Sequence, residues 1–595
     1  MPVGNFQANL YPVGGAQNNA NTPTLGLCLS GGGSRALSCA LGQLSALRTI
    51  ADPRHSGKSV LEGTAYISSV SGGSWAATLY TYLPQTINGQ PVSDDDFLIA
   101  PQAPSALVYD DPSVQNPANV NYLARYCMGN APTHFNPDEI AGVLLTLYNW
   151  GLFGSSAKQP WWWIATVGEL IFKPFGLYQG MYVYDLDYTL PSYMFSLSAS
   201  YVTANIQNNN PDLAPTDFYL VRPNRPALIV NTNLLQHLDN PSGGQIPVQG
   251  TSTQTSVPGQ SPDGTLVGGG GVESFAFTSA LLGAGNSASL ASVNTERYYS
   301  LCDISGCSSA AFATLLVPEI NNIFISDIIP AIENYLAQQG WSEWEIAGVV
   351  ALLIFAWAEF VDLPASNLTP QYNYWPIGGT TNQTYGFTDG GDFDDTAILG
   401  LLAQTDVNCI IACVNSEEPL VKSGSTILVS AQIGLLFGYQ IVGGQWQSFN
   451  GMSPSQPLSY VQVFSDQNGE FAALCQGLYD ASCGDGALGT YTSAFLQTLT
   501  TVENPVANIK AGRQIKVLWI NNYVVMRWQK QIADSRIQAD LALGQSGNPS
   551  GPLANFPLYG TVSQLWLGAE GVNMLAQLSA WNVQQLQAQI DQLLS

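Results

Sequence analysis

The chain has 595 residues, with 17 Lys plus Arg against 42 Asp plus Glu, a formal net charge of −25 in a sequence only 10% charged and 46% hydrophobic. That balance excludes nucleic acid as a partner, because few cations are present to neutralise phosphates, and it excludes electrostatic docking on anionic lipid, which draws on ~1 kcal/mol per Lys or Arg at the surface. Membrane contact, if made, has to be apolar or aromatic, and nine cysteines without a C-x-x-C pair point to buried thiols of a cytosolic protein rather than a disulfide framework or a zinc site.

In chain order, Met1 to Phe6 lacks a basic segment followed by an apolar one, so no secretory leader is read there; a leaderless secreted protein would look the same. Thr24 to Leu29 is an apolar run of strand length, and the Gly-rich turn Ser30-Gly31-Gly32-Gly33-Ser34-Arg35-Ala36 that follows opens a helical pattern. Glycines leave backbone N–H groups uncrowded, and such donors stabilise charge on a developing oxyanion by about 2.7–4 kcal/mol each. A second run, Ala65 to Val70, ends in Ser69-Val70-Ser71-Gly72-Gly73-Ser74-Trp75, with a helical pattern onward to about Leu83. Small residues here permit the strained strand-to-helix bend that presents a nucleophilic hydroxyl, with Ser69 standing where G-x-S-x-G has its first glycine. The two turns read together as an oxyanion hole and a serine nucleophile. Gly31, Gly33 and Ala36 also satisfy the dinucleotide pattern G-x-G-x-x-A, but Asp52 follows the helical run Leu41 to Ile50 rather than a second strand, so no ribose-binding carboxylate is positioned.

Further along, the segment Gln85 to Pro117 and the aromatic stretch Tyr148 to Tyr184, with Trp161, Trp162, Trp163, Phe172, Phe175 and Tyr178, lie outside any compact sheet. The rings are read as the core of a cap, with lipid contact as the other reading. Ala227 to Val230 is a strand, Asn240 to Gly271 is Gly/Ser/Pro-rich and read as a mobile loop, and Ile346 to Ala358 is a run of uncharged residues too short to span a bilayer and read as a buried helix. Tyr385 to Gly391 places Asp389 at the tip of a turn, where it could act as general base provided that burial raises its pKa or the site brings it into tight contact with the serine; a turn Asp before glycines is the other reading. The adjoining Asp392, Asp394 and Asp395 lack calcium-loop spacing, so no metal is expected. His55, His134 and His237 sit in no strand-end motif, which favours a Ser-Asp dyad over a triad.

Val407 to Val414 and Ile515 to Ile520 complete the strands, and Val572 to Leu594 is helical. Continuous apolar strands indicate burial on both faces. The fold class read from this is α/β: a three-layer α/β/α architecture with a mainly parallel central sheet, one catalytic domain over 1–595 and cap or lid insertions at approximately 85–225 and 240–271. The sequence contains no repeat of 20–50 residues.

The turns at Ser30 to Ala36, Ser69 to Trp75 and Asp389 to Gly391, with further islands at Pro226 to Thr232, Cys307 to Phe312 and Asn555 to Thr561, resemble the catalytic domain of cytosolic phospholipase A2 and lysophospholipase, and more distantly patatin. The resemblance implies that Ser71 attacks an acyl ester, Asp389 activates it, the N–H groups of Gly32 and Gly33 hold the oxyanion, and Arg35 meets the lipid phosphate. It also implies a phospholipid or lysophospholipid substrate, and no segment resembles a C2 module; beside it, no cofactor is expected and the protein is read as cytoplasmic and peripheral at membranes. Ser69, Ser34 and Asp395 depart from the family pattern, the last falling where patatin-like sequences tend to carry Asn. A non-enzymatic lipid-binding protein on the same fold, a nucleotide-binding enzyme and a hydrolase of small esters or peptides are the competing readings.

Overall fold

The apolar runs become strands in a computed structural model, described over residues 4–12, 23–110, 118–149, 151–153, 156, 159–178, 194–235, 244–259, 269–284, 289–377, 379, 382–546 and 551–595. The strands β1 (Asn5–Pro12), β2 (Leu25–Leu29), β3 (Tyr66–Val70), β4 (Ala227–Leu235), β5 (Gln245–Thr251), β6 (Gln254–Val257), β7 (Gly270–Glu273), β8 (Ala280–Ala284), β9 (Leu290–Asn294), β10 (Gln371–Tyr374), β11 (Gln383–Asp389), β12 (Cys409–Val414), β13 (Ser493–Thr500) and β14 (Gln514–Asn521) form one sheet. The helices that matter below are α1 (Gly33–Thr49), α2 (Ser71–Tyr82), α3 (Leu301–Ser308), α4 (Phe312–Ile323), α5 (Ile329–Gln338), α6 (Glu343–Val361), α7 (Ile398–Leu402), α8 (Ala569–Gln584) and α9 (Gln587–Leu594).

The sheet is mixed, not mainly parallel. Its parallel part is the block β4-β3-β2-β12-β14, and the order β8-β9-β1-β7-β6-β5 continues it on one side through antiparallel pairs. The mobile loop expected over Asn240 to Gly271 supplies much of that antiparallel wing wherever it is described. Ile246, Val248, Thr255 and Val257 are buried in β5 and β6. Its polar composition hid these strands, because an antiparallel ladder is held by backbone hydrogen bonds that any residue but proline supplies. Residues 240–243 and 260–268 of that segment lie outside the described residues.

The parallel strands are buried on both faces, which is why they read as unbroken apolar runs. Leu25, Leu27 and Leu29 of β2 face one core with α1, α2 and α8, while Cys28 faces another with α7. Each leucine so buried contributes ~1.5–3 kcal/mol. Gly42 lets α1 approach α8 closely, since a Cβ there would overlap the Ala576 carbonyl oxygen. All nine cysteines are free thiols and eight of them are buried.

Two further expectations meet the packing. Trp162, Trp163, Phe172, Phe175 and Tyr178 of the aromatic stretch are buried, with Trp163 against Trp75 and Phe312; residues 179–184 of that stretch are outside the described set. The short buried helix expected at Ile346 to Ala358 is instead the 19-residue α6, long and apolar enough by composition to cross a bilayer and largely exposed. α6 buries only Val350, Leu353, Trp357 and Phe360, because a single seam at 3–4-residue spacing is all that a helix packed from one side covers.

Candidate active site

Strand register brings the candidate residues together. β3 runs parallel to β4 and ends with Val70 opposite Asn231. β11 runs antiparallel to the same edge of β4 and ends with Asp389 opposite Thr232. Two strands distant in sequence therefore meet end to end on neighbouring residues of a third. β2 adds the remaining turn, since Leu29 lies opposite Ser69 and the chain leaving it reaches Gly31 beside Ser71; a Cβ on Gly31 would lie 2.9 Å from Ser71 Cβ.

At this junction Ser71 Oγ donates to Asp389 Oδ2 at 3.1 Å. Ser71 begins α2 and has φ of 49°, a left-handed conformation that costs a non-glycine residue ~1–3 kcal/mol. The bend is possible because the next two residues lack Cβ atoms: one on Gly72 would overlap the Gly33 carbonyl oxygen, and one on Gly73 would overlap that of Leu29. Ser69, in the place of the elbow glycine, is fully buried and donates its hydroxyl to the Ile229 carbonyl at 3.2 Å.

Asp389 is 3% exposed, and its other oxygen, Oδ1, accepts the Gly391 N–H at 2.8 Å. Burial, with the Asp392 carboxylate nearby, pushes its pKa well above the usual range, while the Gly391 and Ser71 hydrogen bonds pull the other way. Asp392 accepts from Thr388 Oγ1 at 2.5 Å, and Asp394 accepts from the Thr396 and Leu399 amides at 3.0 and 2.8 Å. Among the described residues no group of three or more His, Cys, Asp or Glu side chains is arranged to hold a metal.

Gly32 and Gly33 have φ of 123° and 57°. They lead into α1, whose first N–H groups have no intrahelical acceptor, and among the described residues neither amide donates to a protein acceptor. Asp395 supports the turn: its carbonyl accepts the Gly31 N–H at 3.0 Å, and burial raises its carboxyl to about 8 against the opposing pull of Arg35. Ser34 donates its hydroxyl to the Leu565 carbonyl.

Arg35, expected at a lipid phosphate, is 2% exposed and turned into the protein. Its Nε donates to the Asn415 carbonyl at 2.7 Å, and Nη1 donates to Glu417 at 3.1 Å and to the Tyr559 carbonyl. Nη2 lies beneath Gly32, where a Cβ would overlap it. Asp52, the carboxylate of the dinucleotide pattern, is taken up by Arg54, whose Nη2 meets its Oδ2 at 2.7 Å. His134 Nδ1 is paired with the Leu170 carbonyl at 3.0 Å. Neither it nor His55 bonds to Ser71 or Asp389, and His237 lies outside the described residues.

Two of the residues that brace the junction lie in islands already noted in the sequence, Ser308 in Cys307 to Phe312 and Asn231 in Pro226 to Thr232, but the sequence assigned them no role. Ser308, the last residue of α3, accepts the Ser71 N–H on its hydroxyl at 3.0 Å and donates that hydroxyl to the Asn231 carbonyl at 2.5 Å. Its own carbonyl accepts the Gly390 N–H at 3.2 Å. One residue thus touches both turns. Asn233 Nδ2 donates to the Asp389 carbonyl at 2.6 Å, and Asn231 Nδ2 to the Ser69 carbonyl at 3.0 Å. Beyond those islands, the signal for Asn233 was its place with Asn231 as a pair of asparagines inside the otherwise apolar β4.

No protein-family model matches the sequence, and no curated protein matches it. Among solved structures, human GIVD cytosolic phospholipase A2 aligns at 14% identity and a TM-score of 0.41, over 96% of this chain and 60% of that one. Its complexes with methyl gamma-linolenyl fluorophosphonate, with and without terbium chloride, align at 13% identity and the same TM-score. The chain spans about 60% of the length of these structures.

Proposed function

We propose that the protein is a serine acyl hydrolase that cleaves fatty-acyl esters of phospholipids or lysophospholipids through an acyl-Ser71 intermediate. The observation that carries this reading is the 3.1 Å hydrogen bond from Ser71 Oγ to a buried carboxylate, beside two glycine amides with no protein acceptor among the described residues. Asp389 takes the Ser71 proton as Oγ attacks the ester carbonyl, and the Gly32 and Gly33 N–H groups receive the oxyanion. The proton then passes from Asp389 to the leaving alkoxide, and a water activated by Asp389 releases the fatty acid. A raised pKa suits this task, since a carboxylate of ordinary pKa is a poor base toward a hydroxyl. For Arg35 the reading is a support of the Gly-rich turn in place of the phosphate contact. A nucleotide-binding role finds no support, because Arg54 occupies the carboxylate it would need.

The test is labelling with a fluorophosphonate, followed by hydrolysis assays on phospholipid, lysophospholipid and short-chain esters. Reaction of the wild type and none with Ser71→Ala is expected. Absence of labelling in the presence of lipid would leave a non-enzymatic lipid-binding protein, and turnover confined to short-chain esters would remove the lipid substrate.

A further inference from the structure

We infer that α6 is an interfacial docking element that lies flat on the surface of a neutral, zwitterionic lipid layer. α6 is apolar on every side between its acidic ends, yet it buries only the seam of Val350, Leu353, Trp357 and Phe360, with Ile346, Val349, Ala356 and Val361 partly covered beside it. That seam is well packed, with Trp357 stacked on Phe324 at 5.0 Å and Phe360 edge-on to Phe153 at 4.8 Å. The opposite side faces outward: Trp344 is 90% exposed, Phe355 63%, Leu352 59% and Ile354 37%. A helix hydrophobic on all sides belongs in a core or in lipid, and bulky apolar side chains grouped on one helix mark a contact surface.

Length, charge and position decide the occupant. α6 has 19 residues and is long and apolar enough by composition to cross a bilayer. Val350, Leu353, Trp357 and Phe360, however, hold one face against the protein along the helix, and the uncharged run between Glu345 and Glu359 extends only about 20 Å of the ~30 Å hydrocarbon core. A helix fixed along one side meets the layer with its free side and lies on it. Residues 312–361 contain no Lys, Arg or His and six acidic side chains, Glu319, Asp327, Glu333, Glu343, Glu345 and Glu359. Anionic lipid is therefore disfavoured, and attraction comes from apolar burial alone, with exposed Trp344 suited to the headgroup level. The element is also rooted at the candidate site. α4, which leads toward α5 and α6, starts at Phe312, whose ring packs on Trp75 at 5.7 Å and reaches Gly33. The surface stands on its own geometry, and only its use, presenting acyl esters to Ser71, rests on the hydrolase reading.

The experiment measures sedimentation of the full chain carrying Ser71→Ala, which removes turnover, with phosphatidylcholine vesicles, beside the same chain carrying Leu352→Gln and Phe355→Gln. Removing two large side chains from the lipid contact is expected to lower the partition coefficient by about tenfold or more, with unchanged thermal unfolding and no loss of parent binding at high salt. Equal binding of both proteins, no binding of the parent, or stronger binding when phosphatidylserine is added would overturn the inference. So would a lipid-free dimer of the parent, dissociated by the double substitution and unable to bind vesicles, which would make a second copy the occupant. Vesicle binding by a protein whose wild type resists fluorophosphonate would refute the hydrolase reading and leave the docking surface intact.

Discussion

Replacing Ser308 by alanine tests whether the serine elbow is held in place by α3. The hydroxyl accepts the Ser71 N–H at 3.0 Å and donates to the Asn231 carbonyl at 2.5 Å. Ser71 is buried and Asn231 half-buried at the junction, and an orphaned buried donor or acceptor costs about 1–3 kcal/mol, so Ser308→Ala should lower stability by about 1–3 kcal/mol through the Ser71 amide and by less through the Asn231 carbonyl. Ser71 also has φ of 49°, a conformation costing ~1–3 kcal/mol that persists only while its surroundings enforce it. Without its N–H partner the elbow relaxes, and a displacement near 1 Å reduces a reaction by about 100-fold. Urea unfolding would measure the first effect, and the fluorophosphonate labelling rate of the folded variant the second. Ser309→Ala is the comparison: Ser309 Oγ accepts from the Trp75 and Trp163 indoles at 3.0 and 3.2 Å but does not touch Ser71. It should cost similar stability and keep its labelling rate. Wild-type labelling by Ser308→Ala, or equal slowing by Ser309→Ala, would refute the positioning role.

Asp389→Asn should keep the fold and lose about 100- to 10,000-fold in turnover, the usual contribution of a general base. Because burial and then Asp392 raise the Asp389 pKa, and the base must be ionised, kcat/KM should rise with pH along a limb above the ordinary carboxylate range; Asp392→Asn should move that limb to lower pH in a pH–rate profile. Asp395 has its carboxyl raised to about 8, so between about pH 4 and 8 the unfolded chain releases a proton that the folded one keeps, and stability falls as pH rises, by up to ~1.4 kcal/mol per unit. Asp395→Asn should flatten that slope in urea titrations at pH 5 to 8. Gly42→Val should lower the melting temperature, since its Cβ would overlap the Ala576 carbonyl oxygen at a typical overpacking cost of ~1–3 kcal/mol, while molecules that remain folded label at the wild-type rate.

Local chemistry was legible in the residue order. Apolar runs bounded by glycine marked Leu25–Leu29 and Tyr66–Val70 as strands, and the following turns opened helices where expected, at Gly33 and Ser71. Burial of Trp162 and Trp163 followed from ring size. These features depend on hydrophobic period, turn chemistry and side-chain volume, which a stretch of ten residues contains. What ten residues do not contain is which strand edge another strand will join. The 3.1 Å approach of Ser71 to Asp389 exists because β3 and β11 end on Asn231 and Thr232 of one strand, a register set by packing across more than three hundred residues of chain. Tertiary structure alone also directed Arg35 inward to Asn415 and Tyr559, brought Ser308 against both turns, drew the polar segment after Asn240 into an antiparallel wing, and left Leu352 and Phe355 of an apolar helix facing outward. In each case the deciding quantity is what lies opposite a side chain, and composition carries no record of that.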